Sequence, residues 1–431
     1  MIVSARPGRS RANGLRMGAR TVWGLACFAF ASAATANEID AAQGSENWLT
    51  PGLTYDGTAL RNLHGGARIG TTYVGNLHLK LSATGDAIGW PGTSAYAEVL
   101  TIHGGHPSHF VGDAQGASNL EGPTGTQVEE LWFQHNFKGS GASLLVGIYD
   151  LNSEFYRLQA AGLFVNSAFG IGPEFAQSGV EGPSIFPRTS AGLRLALKPT
   201  PDTVLRAAVL DGVPLVRPDS SHGAFRGGDG LLIVGEFAML TRPGTGADRP
   251  ASMRDRIGRF SSLAPYDDKL AIGAWHYSGR FADLVDTDAA GAPLLRSGSS
   301  GAYVVAERLL LGGGASTRHV AAFMQAGVAD ARTNRFGAYL GAGIVASGWG
   351  PARESDQLGV SVARATNGGH YLRSRATGGV TSAETTIEWT YLTQLSKSLT
   401  VQPDLQYVIH PDTDPSSRNA WVLQLRFEIA F

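Results

Sequence analysis

Residues 421–431 (WVLQLRFEIAF) put Trp421, Leu423, Leu425, Phe427, Ile429 and Phe431 on one parity and Val422, Gln424, Arg426, Glu428 and Ala430 on the other. Side chains of a strand alternate between faces, so this segment reads as a strand with one apolar and one largely polar face. A sandwich strand has the same pattern, but this one ends in an aromatic residue in a chain that opens with an export signal. Together these features point to the last strand of an outer-membrane barrel, whose lipid face is apolar and whose lumen face is polar.

The export signal has three parts. Arg6, Arg9, Arg11, Arg16 and Arg20 form a basic stretch without an acid, residues 21–34 (TVWGLACFAFASAA) form an apolar stretch, and Ala34-Thr35-Ala36 offers a small-residue cleavage site. Residues 1–36 therefore read as a cleaved signal peptide. Its apolar stretch is too short for a spanning helix, and no later segment reaches the roughly 18 apolar residues that one needs. Membrane insertion would have to use strands. The single cysteine, Cys27, falls in the signal, so the mature chain has no disulfide and no thiolate ligand or nucleophile. A lipid anchor on Cys27 would leave the apolar residues 28–34 stranded in the mature chain.

The chain carries 35 basic and 36 acidic residues; without the five signal arginines, 30 bases face 36 acids, a net charge of −6. That balance gives no electrostatic footprint for nucleic acid. Period-2 runs and turn residues define about sixteen candidate strands over 64–431, beginning at 64–74 and 76–84. Residues 37–63 are left as a short N-terminal periplasmic segment. Short connections at 138–142, 199–202, 312–317 and 396–399 alternate with long ones at 105–126, 151–188, 211–228, 281–301 and 365–382. This alternation is the one expected of a barrel with short periplasmic turns and long external loops. The segment 240–268, long and rich in Arg and Pro, breaks it. The longest connection, 151–188, holds Leu163, Phe164, Val165, Phe169, Ile171, Phe175, Ile185 and Phe186. Such a loop needs cover, so it is expected to fold into the barrel mouth as a constriction.

The stretches GWPG (89–92), VGDAQGASNLEGP (111–123), GLFVNSAFGIGPEF (162–175), SAGLRLALKPTPDTVLRAAVLDG (190–212), GGDGLLIVGEF (227–237) and PDLQYVIHPDTDPSSRNAWVLQLRFEIAF (403–431) resemble the carbohydrate-selective porins of the OprB kind. The resemblance spans 54–431. It implies a sixteen-stranded antiparallel transmembrane β-barrel of the Gram-negative outer membrane, with the third external loop folded inward and monosaccharides such as glucose passing by diffusion. It also implies lipid and lipopolysaccharide around the wall, reading of the terminal aromatic by the barrel-assembly machinery, and a monomer.

Passive sugar transport needs no catalytic residue, cofactor or metal. It needs hydroxyl-binding polar groups and flat aromatic faces along a channel. Strand parity turns Lys80, Glu130, Trp132 and Arg194 towards the lumen, with Arg68 on the same side if no bulge intervenes. These five come from early strands near the inserted loop and are the first candidates to line the pore, together with Asn166 in the loop, which could cap backbone or meet sugar. Arg206, Glu236, Glu388, Asp404, Arg426 and Glu428 also face inward, as parts of a wall ladder of ion pairs. Gln424, facing the lumen, is expected to tolerate an arginine.

Other signals are weaker. His103-Gly-Gly-His106 lacks a third metal ligand, and Asp412 and Asp414 sit as turn residues in a loop where calcium stays open. A barrel-based enzyme would need a Ser, His and acid gathered on the rim, and a structural anchor would need a plugged lumen. General or acid-selective diffusion is the nearer alternative.

Overall fold

A computed structural model of the chain describes residues 48–214, 225, 228–241, 268–312, 318–349, 356–376 and 378–431. Residues 1–36, read as a signal peptide, residues 37–47, most of the 240–268 segment and residues 313–317 of the connection at 312–317 lie outside the described residues.

Alternating sequence becomes sixteen strands: β1 (Leu49–His64), β2 (Gly70–Thr84), β3 (Thr93–Gly104), β4 (Gly125–Phe137), β5 (Ala142–Tyr149), β6 (Ser190–Thr200), β7 (Thr203–Asp211) and β8 (Leu231–Thr241) form the first half. The second half is β9 (Asp268–Thr287), β10 (Pro293–Leu311), β11 (His319–Ala329), β12 (Phe336–Ser347), β13 (Gln357–Asn367), β14 (Ala383–Gln394), β15 (Leu399–Ile409) and β16 (Ala420–Ala430). Each strand pairs antiparallel with its sequence neighbours, and β1 closes the barrel on β16 from Thr54↔Ala430 to His64↔Trp421. Closure leaves no unpaired sheet edge, which hydrocarbon would penalise.

Parity places the side chains as the alternation implies. Leu79, Leu81, Leu131, Phe133, Leu193, Leu195, Leu423 and Leu425 are exposed on the outer face, whereas Glu130, Trp132, Arg194 and Gln424 are buried within. Leu195→Arg is accordingly expected to destabilise the barrel by about 2–4 kcal/mol, the cost of a cation on the lipid face near the midplane. Urea unfolding in liposomes measures it; an unchanged midpoint would contradict the lipid-facing assignment.

Three expectations about the strands give way. Residues 49–63, read as part of a periplasmic segment, form most of β1. Its pattern is masked because Leu60 points inward onto Val111 and Val422 beneath a loop, while exposed Arg61 lies beside it. Second, 64–74 and 76–84 are not two strands: the turn lies at 65–69, and Gly75 sits inside β2 opposite Gly57. Glycine is required there by close approach, since a Cβ would collide with the Tyr55 hydroxyl and the His103 ring. The missed strand and the split one cancel, so the count of sixteen stands although the first two boundaries moved. Third, 281–301 is not a loop but a tall hairpin, β9 pairing with β10 out to Thr287↔Pro293. Its apolar residues, Phe281, Leu284, Val285, Leu294 and Leu295, do not alternate with polar ones, so no period-2 run marks it.

The two long connections at one rim do not stand in solvent. Residues 150–189, the third connection at that rim, enter the barrel through short helical turns at Leu151–Ser153, Ala161–Leu163, Ser167–Phe169 and Pro173–Ala176. Phe155, Tyr156, Phe164, Phe169 and Phe175 are all fully buried, and Phe175 stacks on Trp275 of β9 with centroids 4.1 Å apart. Inward-facing Tyr303, Phe323 and Tyr339 complete this apolar packing. Residues 105–124 also turn inward, which their sequence was not read to predict. Apolar burial, worth about 25 cal/mol per Å², holds residues 150–189 in a lumen that would otherwise be wet.

Candidate substrate passage

Wall carboxylates facing the lumen find backbone amides of the loops. Glu388 accepts from the amides of Val165 at 2.5 Å and Asn166 at 3.0 Å, and Glu307 accepts from that of Ala160 at 2.6 Å. Glu236 accepts from the amide of Tyr156 and the hydroxyl of Tyr303, both at 2.8 Å. Glu384 accepts from the amides of Ala114 at 2.8 Å and Gln115 at 3.0 Å in the other loop. Wall amides reach loop carbonyls in turn: Gln402 donates to Leu163 O, Gln325 to Phe169 O, and both Gln406 and Gln424 to Ala117 O. Loop backbone carries unsatisfied donors and acceptors wherever it leaves water, and a polar barrel wall supplies their partners.

A charged network joins these anchors. Arg194 lies 2.7 Å from Glu154 of the inserted loop, and Arg206 lies 3.1 Å from Glu236, whose carboxylate is also 3.7 Å from Lys269. Arg426 donates to Asn119 Oδ1 at 2.6 Å and to Thr58 Oγ1 at 3.3 Å. In the inward-folded loop 105–124, burial and the neighbouring Glu121 push the Asp113 carboxyl up to about 6.

Where β3–β6 face the lumen, a recess is lined by Tyr96, Glu130, Trp132, Gln134, Tyr149 and Arg194 among others. Trp132 donates its indole N–H to Glu130 at 3.0 Å, and its ring lies 5.5 Å from Tyr96. Beside it, His78 of β2 spans two carboxylates, 2.7 Å from Glu98 and 3.2 Å from Asp56, and Tyr96 donates to Glu98 at 2.6 Å. Lys80 is half-buried on the same side, in register with Glu98.

The structure thus brings Glu130, Trp132 and Arg194 together, with Lys80 on the adjoining wall. It does not place Arg68 there: Arg68 lies exposed in the turn between β1 and β2, its guanidinium 3.9 Å over the Phe110 ring. Parity fails for it because it is not in a strand. Asn166 is fully buried; its Oδ1 accepts from the Ala168 amide at 3.0 Å and its Nδ2 donates to Gln406 at 3.2 Å. It caps and anchors the loop. Arg206, Glu236, Glu388, Asp404 and Arg426 are all buried within these networks, Asp404 accepting from Gln406 at 3.0 Å. Glu428 is half-buried on β16 opposite Asp56. Gln424 is 1% exposed and holds a loop carbonyl, so the tolerance of arginine expected there does not survive.

Sequence reasoning did not single out Glu98, Glu154, Glu307, Glu384 or Tyr149. An acid at inward parity on a strand, matched to a loop rich in glycine and small residues, is the signal that would have found the wall anchors. Asp283, Asp286 and His370 group at the rim as a candidate cation site. Arg296 already bridges the two carboxylates at 2.8 and 2.6 Å, and Asp283 Oδ1 accepts from two amides, so the cluster is a completed latch. Asp412 pairs with Arg335 at 2.6 Å and Asp414 caps the Ser416 amide at 2.8 Å, which accounts for both without calcium.

A closed sixteen-stranded barrel narrowed by inward loops defines a porin. The family model for carbohydrate-selective porins, OprB family, matches residues 68–431. The chain belongs to that family, whose members are passive channels of the outer membrane and not enzymes. Among solved structures, the high-pH structure of Pseudomonas putida OprB is similar with a TM-score of 0.73 and 20% identity, covering 89% of this chain and 94% of that one. The outer membrane channel DcaP of Acinetobacter baumannii is similar with a TM-score of 0.51 and 8% identity, over 89% and 97% of the two chains. A variant of the Rh. blastica porin gives a TM-score of 0.50 at 11% identity, over 89% and 100%. At these identities the likeness carries the barrel fold. No curated protein matches the chain.

Proposed function

We propose that the chain is a monomeric channel for monosaccharides such as glucose in the Gram-negative outer membrane, delivered there after cleavage of residues 1–36. The observation that carries this reading is the grouping of aromatic and polar side chains on the lumen side of β3–β6, where the Trp132 and Tyr96 rings pack 5.5 Å apart beside Glu130 and Gln134 at a narrow recess. Rings stack on the C–H faces of a sugar and carboxylate or amide groups accept or donate to its hydroxyls. Lys80, Asp56 and His78 continue the polar wall on β1 and β2. Acids and bases are interspersed along it, which suits a neutral solute better than an ion of either sign. Binding must stay weak, because a tightly held solute does not leave a channel.

Glucose added to the purified protein in a planar bilayer is expected to reduce single-channel ion current. Trp132→Phe, which keeps a ring packed on Tyr96 but loses the bond to Glu130, should weaken that block in a barrel that still folds. An unblocked wild-type channel would favour general or acid-selective diffusion.

A further inference from the structure

The far end of the inserted loop is held differently from the rest. Its short helix Pro173–Ala176 packs on β11 and β12, and Glu174 within it is fully buried. Tyr156 donates its hydroxyl to Glu174 Oε1 at 2.9 Å, while Oε2 has no hydrogen-bond partner among the described residues. The carboxyl lies against Gly172 and Gly327, where a Cβ at either position would collide with it. The other acidic anchors of this loop accept from its amides or pair with arginine; this one has the Tyr156 hydroxyl and the amides of its own helical turn as donors and no cation.

The groups facing it are neutral or acidic. From the loop comes Tyr156, from β10 Tyr303, from β11 Gln325 and from β12 Tyr339. Beyond the tyrosines stand two acids, Glu236 bonded to Tyr303 and Glu388 near Tyr339. The cations on that side, Arg206 and Lys269, lie at Glu236. Burial outweighs the bonds from Tyr156 and the loop amides and pushes the Glu174 carboxyl from 4.5 up to about 7.

We infer that Glu174 is a positioning residue for the passage: uncharged, it lets this end of the loop sit against β11 and β12, and ionised, it loosens that end. The inference rests on the reading that residues 150–189 narrow the lumen. An acid whose carboxyl is harder to ionise in the seated loop favours seating fully below its ordinary range, and the advantage is lost as pH rises to about 7. Across that window the ratio of seated to loosened loop falls by up to about two orders of magnitude.

The test is single-channel conductance of the full-length protein in planar bilayers from pH 4.5 to 8. Wild-type conductance, or its open-state noise, should rise with pH. Glu174→Gln, which cannot ionise, should lose more than half of that rise and stay near the low-pH level. Tyr156→Phe removes the hydroxyl that favours the ionised form, so it should move the rise to higher pH, and it serves also if Glu174→Gln fails to fold. A pH-independent wild type, or Glu174→Gln titrating like the wild type, overturns the inference. Glucose block at pH 5, scored on the same channels, tests the sugar reading separately, since it is read where the loop is seated in either case.

Discussion

Replacing Glu388 by alanine is expected to raise single-channel conductance several-fold. Its two carboxylate oxygens accept from the amides of Val165 and Asn166 at the middle of the inserted loop, where the chain crosses the lumen far from its ends on β5 and β6. Hydrogen bonds to a charged group contribute about 1.5–3 kcal/mol each, and a buried amide left without a partner costs a similar amount. Among the described residues the two amides have no second acceptor, so the loop has to shift to find one. Glu388→Gln keeps one acceptor oxygen and should fall between the two. Conductance of the alanine variant equal to wild type, in protein that still migrates as folded barrel, would show that apolar packing of Phe164 and Phe169 alone fixes the loop.

The same residue shows how far the sequence could be read. Its inward orientation follows from strand parity, because Trp389 and Ile387 on either side face lipid. Its partner does not follow, because an amide 222 residues away carries no side-chain signature. The apolar content of 151–188 revealed that this loop needed cover, yet residues 105–124 enter the barrel with a smaller and scattered apolar share, Val111 and Ala117 in one cluster and Leu120 in another. Their inward path is set by polar contacts, Glu384 to two amides and Gln406 and Gln424 to one carbonyl, and such contacts leave no periodicity. Fold class was therefore legible from alternation taken together with the terminal aromatic and the basic-then-apolar N-terminal stretch. The assignment of inward charges between sugar and loop was not, since both uses demand the same residue types on the same face.

The acidic lumen residues in this barrel divide by position around the wall, whereas amides hold loop backbone on both sides, Asn62 of β1 and Asn76 of β2 donating to Phe110 O and Leu120 O. From β7 through β16 acids and amides both hold the loops, with Glu236, Glu307, Gln325, Glu388, Gln402 and Gln424 each bonded to loop backbone. On β1–β4 the charges of Asp56, His78, Glu98 and Glu130 bond to other wall side chains. That division is why the recess by Trp132 is a better candidate for solute contact than the more numerous charges opposite. It also predicts that variants on the two sides fail in different ways: loop release on one, altered solute block on the other.

Arg194 stands at the boundary between the two sides, and Arg194→Ala is expected to destabilise the folded protein by roughly 3–5 kcal/mol, the cost of leaving one member of a buried ion pair unpaired. Arg194 is 1% exposed; its Nε lies 2.7 Å from Glu154 of the loop, and it donates to Ser143 Oγ at 2.6 Å and Gln134 Oε1 at 2.5 Å. A residue so fully engaged does not bind solute itself; it ties the start of the inserted loop to β5 and β6 and orients Gln134 in the recess. Its substitution leaves Glu154 with the Tyr149 hydroxyl at 2.6 Å and, as its nearest cation, Arg206 at 4.0 Å, so the local charge becomes more negative and anion preference should also fall. Replacing both partners, Arg194→Met with Glu154→Leu, removes the orphaned charge and should recover most of the stability, as buried pairs exchanged for apolar residues of similar volume generally do. Urea unfolding midpoints of the two single variants and the double variant decide it, with reversal potentials in a salt gradient as the second readout. A double variant as unstable as Arg194→Ala would move the weight from the ion pair to the bonds with Ser143 and Gln134, and the loop would then be held at its start by β5 and β6 contacts that do not involve Glu154.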